Sequence, residues 1–271
     1  MLRVQPITSL DEPILEPYRT MRRQRDHQQQ QIFVAEGEKV VRRLLESHLT
    51  VLSLLLPEEW LQRLEPLLKS RREEIQAFVA PKPLLETLTG FSMYQGVLAV
   101  GRIPACSTLE SVCQTSTRPY LLAAIEGLSN AENVGALVRN CVAFGAHALI
   151  VDPTSSSPFL RRAVRSSMGA IFNLPVVEAV NLAETLRELR AREIRCLAAH
   201  PRVEGRTVAR TDLATDCCIV FGSEGYGLAP AVLAACDEAV AVPMNGGVDS
   251  LNVGSASAVF LYEANRQRRK M

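Results

Sequence analysis

Aromatic residues make up 5 % of the chain, with a single tryptophan, and the four histidines are widely separated. Histidines so dispersed give no basis for a metal centre, and none is expected. The seven cysteines, Cys106, Cys113, Cys141, Cys196, Cys217, Cys218 and Cys236, are odd in number, scattered and never in C-x-x-C spacing. That pattern supplies neither a disulfide frame nor a zinc site, so most should be small buried hydrophobes. Long hydrophobic runs are missing too: Val51 to Leu56 is among the longest and falls far short of a bilayer span. The opening Met1-Leu2-Arg3-Val4-Gln5-Pro6 has no signal-peptide apolar core. A soluble, cytoplasmic protein is expected. Net charge is only +1, so overall charge says nothing for a nucleic-acid partner. No repeat recurs at a fixed period, and Gln28 to Gln31 is too short to be a disordered tract.

What is present is apolar bulk and alternation. A chain of 271 residues, 47 % of them hydrophobic, has material for two domains. Residues 11–30 read as a polar, Arg-rich and Gln-rich helix. Strands at 32–35, 51–56, 75–80 and 97–103, with helices at 39–47 and 58–74, describe an α/β domain over residues 1–105. Residues 106–118, rich in Ser, Thr and Cys between Pro104 and Pro119, read as a linker. From 119 to 271 the alternation resumes: strands at 121–125, 147–151, 194–199, 217–221 and 239–242, with helices at 133–144, 160–171, 182–192, 228–236 and 251–268. This is a mostly parallel sheet with helices on both faces, where ligands bind beyond the strand C-termini. Three basic clusters, Arg19/Arg22/Arg23/Arg25, Arg161/Arg162/Arg165 and Arg266/Arg268/Arg269/Lys270, are each compatible with phosphate contacts or with a solvated helix face.

Three strand ends carry unusual residues. After Ile125 comes Glu126-Gly127-Leu128-Ser129-Asn130-Ala131-Glu132-Asn133, with Asn133 near a helix start, where Asn is a favoured cap. Arg139 follows among Leu137, Val138, Cys141 and Val142, a setting that fits either a salt bridge or a site lining. After Phe221 comes Gly222-Ser223-Glu224-Gly225-Tyr226-Gly227, whose glycines permit close backbone approach or positive φ. It is neither a G-x-G-x-x-G fingerprint nor a P-loop. The third end runs Val242-Pro243-Met244, then through Gly246-Gly247 to Asp249-Ser250-Leu251-Asn252-Val253-Gly254, where two short polar side chains meet the backbone donors of a helix start.

In order and content these segments resemble the motifs of the SpoU (TrmH) class of SPOUT RNA ribose methyltransferases, and the resemblance covers nearly the whole chain. Asn133-x-Gly135-x3-Arg139, Gly222-x-Glu224-Gly225-x-Gly227-Leu228, and Val242-Pro243-Met244 with Ser250-Leu251-Asn252-Val253 are the three motifs. Phe33 to Val41 is similar to the substrate-binding domain of rRNA-directed members, an L30e-like α/β fold. The resemblance implies a C-terminal domain tied in a deep trefoil knot, a homodimer formed through that domain with the last helix in the interface, and S-adenosylmethionine as cofactor. It implies cofactor contacts at Ala199, Gly222, Val242, Met244 and Leu251, and a catalytic set of Arg139, Asn133, Glu224, Ser250 and Asn252. Gly254 stands where a serine is common, Ser129-Asn130 replace a frequent Asp-Pro, and His200 stands where many members carry threonine.

The reaction implied is methyl transfer to a ribose 2′-hydroxyl of RNA, with 23S-type rRNA favoured over tRNA because tRNA-directed relatives usually lack the N-terminal domain. Arginine stays protonated in proteins, so Arg139 is expected to stabilise developing alkoxide charge rather than act as base, with Asn133 orienting Arg139 or the ribose. The alternatives are a tRNA ribose methyltransferase and a catalytically inactive RNA-binding or assembly factor of the same fold.

Overall fold

The computed structural model describes residues 2–89, 96–201, 206–246 and 248–269. Gly247, Lys270 and the side chain of Arg25, singled out above, lie outside the described residues. The chain divides into two compact units: Met1–Ala105 with Phe159–Phe172, and Cys106–Pro158 with Asn173–Met271.

The first unit contains β1 (Leu2–Pro6), α1 (Glu16–Arg19), α2 (Gln24–Gln29), β2 (Ile32–Glu36), α3 (Glu38–Glu46), β3 (Val51–Leu56), α4 (Glu58–Ser70), β4 (Ile75–Val79), α5 (Lys82–Thr89) and β5 (Leu98–Arg102). Its five-stranded sheet has the order β1-β4-β3-β5-β2, parallel from β1 to β3 and antiparallel through β5 and β2. The expected single helix over 11–30 is instead a 3₁₀ turn at Pro13–Leu15 followed by the short α1 and α2. Pro13 and Pro17 favour helix starts and cannot lie in a helix interior without removing a hydrogen bond, which keeps these pieces short. Phe33 stacks on Phe172 with ring centroids 5.4 Å apart, and Gly101 is required beneath it, since a Cβ there would lie 2.5 Å from Phe33 Cζ.

The second unit contains α6 (Leu109–Thr115), β6 (Leu121–Ile125), α7 (Ala131–Ala143), β7 (Ala148–Val151), β8 (Val176–Glu178), α9 (Leu182–Ala191), β9 (Arg195–Ala199), β10 (Cys217–Phe221), α10 (Pro230–Ala235), β11 (Glu238–Val240) and α11 (Val253–Arg268). Its described strands form a six-stranded sheet, order β11-β9-β10-β6-β7-β8, in which every pairing is parallel. Alternate strand residues feed two helix layers, as the strand period of two requires. Leu122, Ala124, Ile150, Cys196, Cys218 and Val220 pack under α6, α9 and α10. On the other face lie α7 and α11, with Phe221 edge-on to Phe260 at 5.9 Å. This is the α/β architecture expected, with helices on both faces.

Two boundaries differ from the sequence reading. Residues 106–118 are not a bare linker: Thr108 and Ser111 form a reciprocal capping box, and α6 then buries Leu109 and Val112 against the sheet. The segment Phe159–Phe172, with α8 (Arg161–Ser166) between β7 and β8 in the chain, belongs to the first unit. There Arg161 and Arg165 (3.2 Å) pair with Glu36, whose side chain is 7 % exposed. A carboxylate so deeply buried needs such partners, so two arginines of this basic cluster serve the fold.

Two arginines of the C-terminal cluster are likewise committed. Arg266 pairs with Glu263 at 2.6 Å, and Arg268 donates to the carbonyls of Pro119, Tyr120, Leu213 and Thr215. Of the cysteines, Cys141, Cys196, Cys217 and Cys218 are buried, and burial pushes the Cys141 thiol up to about 12. No helix among the described residues is long and apolar enough to cross a membrane, and no cluster of metal-ligating side chains occurs among them.

Candidate active site at the strand ends

The strand order places the carboxyl ends of β11, β9, β10 and β6 side by side, so the segments leaving Ala199, Phe221 and Val240 converge. They enclose a cavity of about 410 Å³. Its walls include Ala199, Gly222, Val242, Met244 and Leu251, the five expected cofactor positions, and also His200, Glu224 and Ser250. Phe221 and Phe260, 1 % and 2 % exposed, are its apolar floor. A few polar groups on an apolar floor, at this volume, suit a nucleoside-sized ligand.

The segment after β10 is a closed hairpin. Ser223 N donates to Gly227 O at 3.0 Å and Gly227 N returns to Ser223 O at 2.9 Å. The close return explains the glycine at 222: a Cβ there would lie 2.4 Å from the Gly227 carbonyl carbon. Gly227 itself takes φ +71°, the left-handed region that glycine enters without cost.

Asn133, Glu224 and Asn252, far apart in sequence, meet through their side chains. Asn133 Nδ2 donates to Glu224 Oε1 at 2.8 Å, and Asn252 Nδ2 to the same oxygen at 2.7 Å and to Asn133 Oδ1 at 3.1 Å. Glu224 Oε2 takes no donor among the described residues, which leaves an acceptor facing outward from the cluster. The helix cap is not Asn133 but Asn130, whose Oδ1 accepts from Glu132 N at 2.8 Å, so Asn133 falls in the first turn with its amide free to reach Glu224. Asn252 does cap α11, accepting from Gly254 N at 2.9 Å.

Arg139 is not part of this cluster. It is exposed on α7 and has no ion pair or hydrogen bond among the described residues, so the salt-bridge alternative is not realised. Six residues beyond Asn133, it lies about 9 Å along the axis and about 120° around it. Asn133 therefore does not orient Arg139 within the chain: its amide is committed to Glu224 and Asn252.

A supporting network was missed in the sequence. Asp152, 6 % exposed at the end of β7, accepts from Gly127 N and Thr154 N, each at 3.1 Å, and from the hydroxyls of Thr154 and Ser155. Burial would raise its pKa, but the hydrogen bonds from Ser155, Thr154 and Gly127 outweigh it and hold the carboxyl below the usual aspartate value. Ser155 Oγ in turn accepts from Leu128 N at 3.0 Å, and Ser156 Oγ donates to Ser129 O at 2.6 Å. The loop that leads into α7 is thus pinned from below. The signal was legible as a Thr/Ser run following a strand-end aspartate.

Gly254 has a packing reason to replace serine. A Cβ there would come within 3.0 Å of Ala136 Cβ, while Asn140 Nδ2 donates to Gly254 O at 2.7 Å, so α7 and α11 meet closely at this point.

The chain's likenesses agree with this geometry. The family model described as SpoU rRNA Methylase matches residues 120–262. A Mycobacterium tuberculosis protein named as an uncharacterized tRNA/rRNA methyltransferase is 31 % identical over 278 residues, covering 98 % of this chain and 93 % of its own. The 23S rRNA (guanosine-2′-O-)-methyltransferase RlmB of Ralstonia nicotianae is 32 % identical over 209 residues, covering 76 % of this chain and 84 % of its own. Among solved structures, the SpoU methyltransferase AviRb from Streptomyces viridochromogenes, in complex with AdoMet, superposes with a TM-score of 0.82 at 25 % identity over 95 % of this chain and 98 % of its own. With a family match over more than half the chain and a relative alike along nearly all of it, this chain belongs to the SpoU rRNA methylase family.

Proposed function

We propose that the chain transfers a methyl group from S-adenosylmethionine to a ribose 2′-hydroxyl of 23S-type rRNA in the cytoplasm. The observation that carries this reading is the Asn133–Glu224–Asn252 cluster at the edge of the cavity, with one carboxylate oxygen of Glu224 unengaged. Support for rRNA comes from the Ralstonia relative's name and from the presence of a separate first unit. In that unit Arg19, Arg22 and Arg23 are exposed, as contacts to an RNA backbone would need to be. The trefoil knot belongs to the same proposal, and the convergence of the segments after β9, β10 and β11 is in keeping with it.

The cavity fits the cofactor in size and in its apolar floor. Backbone and side chains of Ala199, Gly222, Val242, Met244 and Leu251 would hold it, with Ser250 at its polar side. Bound there, S-adenosylmethionine supplies an electrophilic methyl group. For that transfer the protein's task would be chiefly to align the acceptor oxygen and exclude wrong approaches. Glu224 Oε2 accepts from a ribose hydroxyl, while the two asparagine amides fix the carboxylate's orientation. Asn133 thereby positions the acceptor indirectly. Arg139 stabilises charge that develops on the ribose oxygen, and the proton leaves to water or phosphate. Arg139 and Val142 are exposed on α7, one turn apart, and Val259 and Tyr262 are exposed on α11, which packs against α7. Pairing of two copies through these apolar side chains, which forms part of the proposal, buries them beside the arginine.

The test is transfer of labelled methyl from S-adenosylmethionine to 23S rRNA and, separately, to bulk tRNA, followed by nuclease digestion and mass spectrometry. A 2′-O-methylnucleoside in 23S rRNA is the expected product. Label in tRNA alone would select the tRNA reading, and tight RNA binding without any transfer would select the inactive assembly factor.

A further inference from the structure

Tyr226 is 98 % exposed, yet it stands at the tip of the hairpin that walls the cavity. Its backbone is held firmly. Ser223 and Gly227 exchange two hydrogen bonds across the hairpin, and Tyr226 N donates to Ser223 Oγ at 3.0 Å. The ring makes no contribution to the core: the floor is closed by Phe221 and Phe260, which pack edge to face. An aromatic side chain on a pinned turn, with both ring faces in solvent, is poorly explained by folding. Tyrosine offers a rigid, amphipathic surface with little entropy to lose on contact.

We propose that Tyr226 is the stacking platform for the base of the nucleotide being methylated, and so a residue that sets how tightly the RNA acceptor is held. The inference rests on the ribose-methylation reading above and deepens it. A ribose 2′-hydroxyl brought to Glu224 carries its base on the adjacent sugar carbon, so the base must lie within a few bonds of the cluster. Tyr226 is two residues from Glu224, a chain reach of at most about 7 Å. Specific recognition of RNA commonly draws a base out of its stack and lays it on an aromatic ring. A cofactor role suits the ring less well: Tyr226 borders the cavity, but at 98 % exposure it is open to solvent rather than enclosed.

The experiment compares full-length wild type, Tyr226→Phe, Tyr226→Leu and Tyr226→Ala with an in vitro 23S rRNA transcript and labelled S-adenosylmethionine. Tyr226→Ala should raise the half-saturating RNA concentration by about tenfold or more, the usual cost of losing one base–aromatic stack. Tyr226→Phe should behave as wild type, and Tyr226→Leu as Tyr226→Ala, since leucine offers apolar area but no ring face. Cofactor affinity by calorimetry and the thermal midpoint should be unchanged in all three. Equal RNA half-saturation in Tyr226→Ala and wild type would overturn the inference. So would a leucine variant as good as phenylalanine, or a parallel loss of cofactor affinity, which would move the ring to the cofactor. Should wild type transfer no methyl to RNA, the functional reading itself fails. Filter binding of the same transcript to wild type and Tyr226→Ala then decides the stacking contact separately, equal affinity again overturning it.

Discussion

Arg139 is a cation with no partner among the described residues, whereas Arg71, Arg161 and Arg268 are each tied to carboxylates or carbonyls. An arginine left free on a helix that otherwise serves the site is the expected state of a group awaiting negative charge. Arg139→Ala should therefore slow single-turnover methyl transfer by on the order of a hundredfold, the usual cost of removing one such stabilising group. Arg139→Lys should recover little, because an ammonium lacks the planar fork of donors. Cofactor affinity, titrated in parallel, should be unchanged in both, since Arg139 is not a wall of the cavity. Near-normal single-turnover rates in Arg139→Ala would return it to a surface role. Asp152 gives a second residue-scale prediction. Its folded pKa is depressed, so its contribution is present above the unfolded value of about 3.9 and is lost as pH falls through the folded one. Wild type should exceed Asp152→Asn in stability by about 1–3 kcal/mol from pH 5 to 8, the cost of leaving buried donors poorly matched. That gap should shrink below about pH 4 in denaturant titrations; a gap independent of pH would deny the ionised network. The family resemblance could name Asn133, Glu224 and Asn252 because each falls in a motif at a strand end or helix start. It could not find their shared oxygen, nor Asp152, because both depend on which strands are neighbours.

At the scale of elements, sequence legibility followed burial. Largely buried runs such as Val51–Leu56, apolar except for Ser53, and Cys217–Phe221, apolar throughout, delimit β3 and β10 at the residues expected. β1 was not read because it is an edge strand with exposed Arg3, Val4 and Pro6, so its apolar pattern is weak. α6 was hidden by its own caps: Thr108 and Ser111 look like loop composition until their reciprocal hydrogen bonds are drawn. α8 was legible as a helix, but its assignment to the first unit depends on Glu36, far away in sequence, and on the stacking of Phe33 with Phe159 and Phe172. Glu36→Gln should destabilise the protein by on the order of 3 kcal/mol, because it leaves the largely covered Arg161 without its countercharge. Adding Arg161→Met to Glu36→Gln should restore part of that loss, since an apolar side chain has no charge to desolvate. Thermal unfolding of the single and double variants measures both; equal stability of Glu36→Gln and wild type would show the pair to be dispensable.

Across the whole molecule, two small residues of α11 are spent on packing within the chain. Gly254 and Ser257 are buried against α7, where Asn140 donates to Gly254 O and to Ser257 Oγ at 2.9 Å. They serve packing within the chain and are not available to a second copy. Among what α7 and α11 leave exposed are three large apolar side chains, Val142 at 38 %, Val259 at 36 % and Tyr262 at 56 %, with Tyr262 edge-on to Phe144. Apolar side chains gathered on one helical face are the composition that self-association buries. If two copies pair here, Val259→Asp with Tyr262→Asp places two carboxylates in each half of the interface and should yield a monomer by light scattering, where the unmodified chain scatters as a dimer. Both positions are exposed, so circular dichroism should be unchanged. Cofactor affinity should persist, because Val259 and Tyr262 are not walls of the cavity. Methyl transfer should fall, because Arg139 is one turn from Val142 on the proposed interface and would lose the neighbour that confines it. A monomeric unmodified chain, or a dimer that survives both aspartates, would place the interface elsewhere and leave Arg139 to act within one chain.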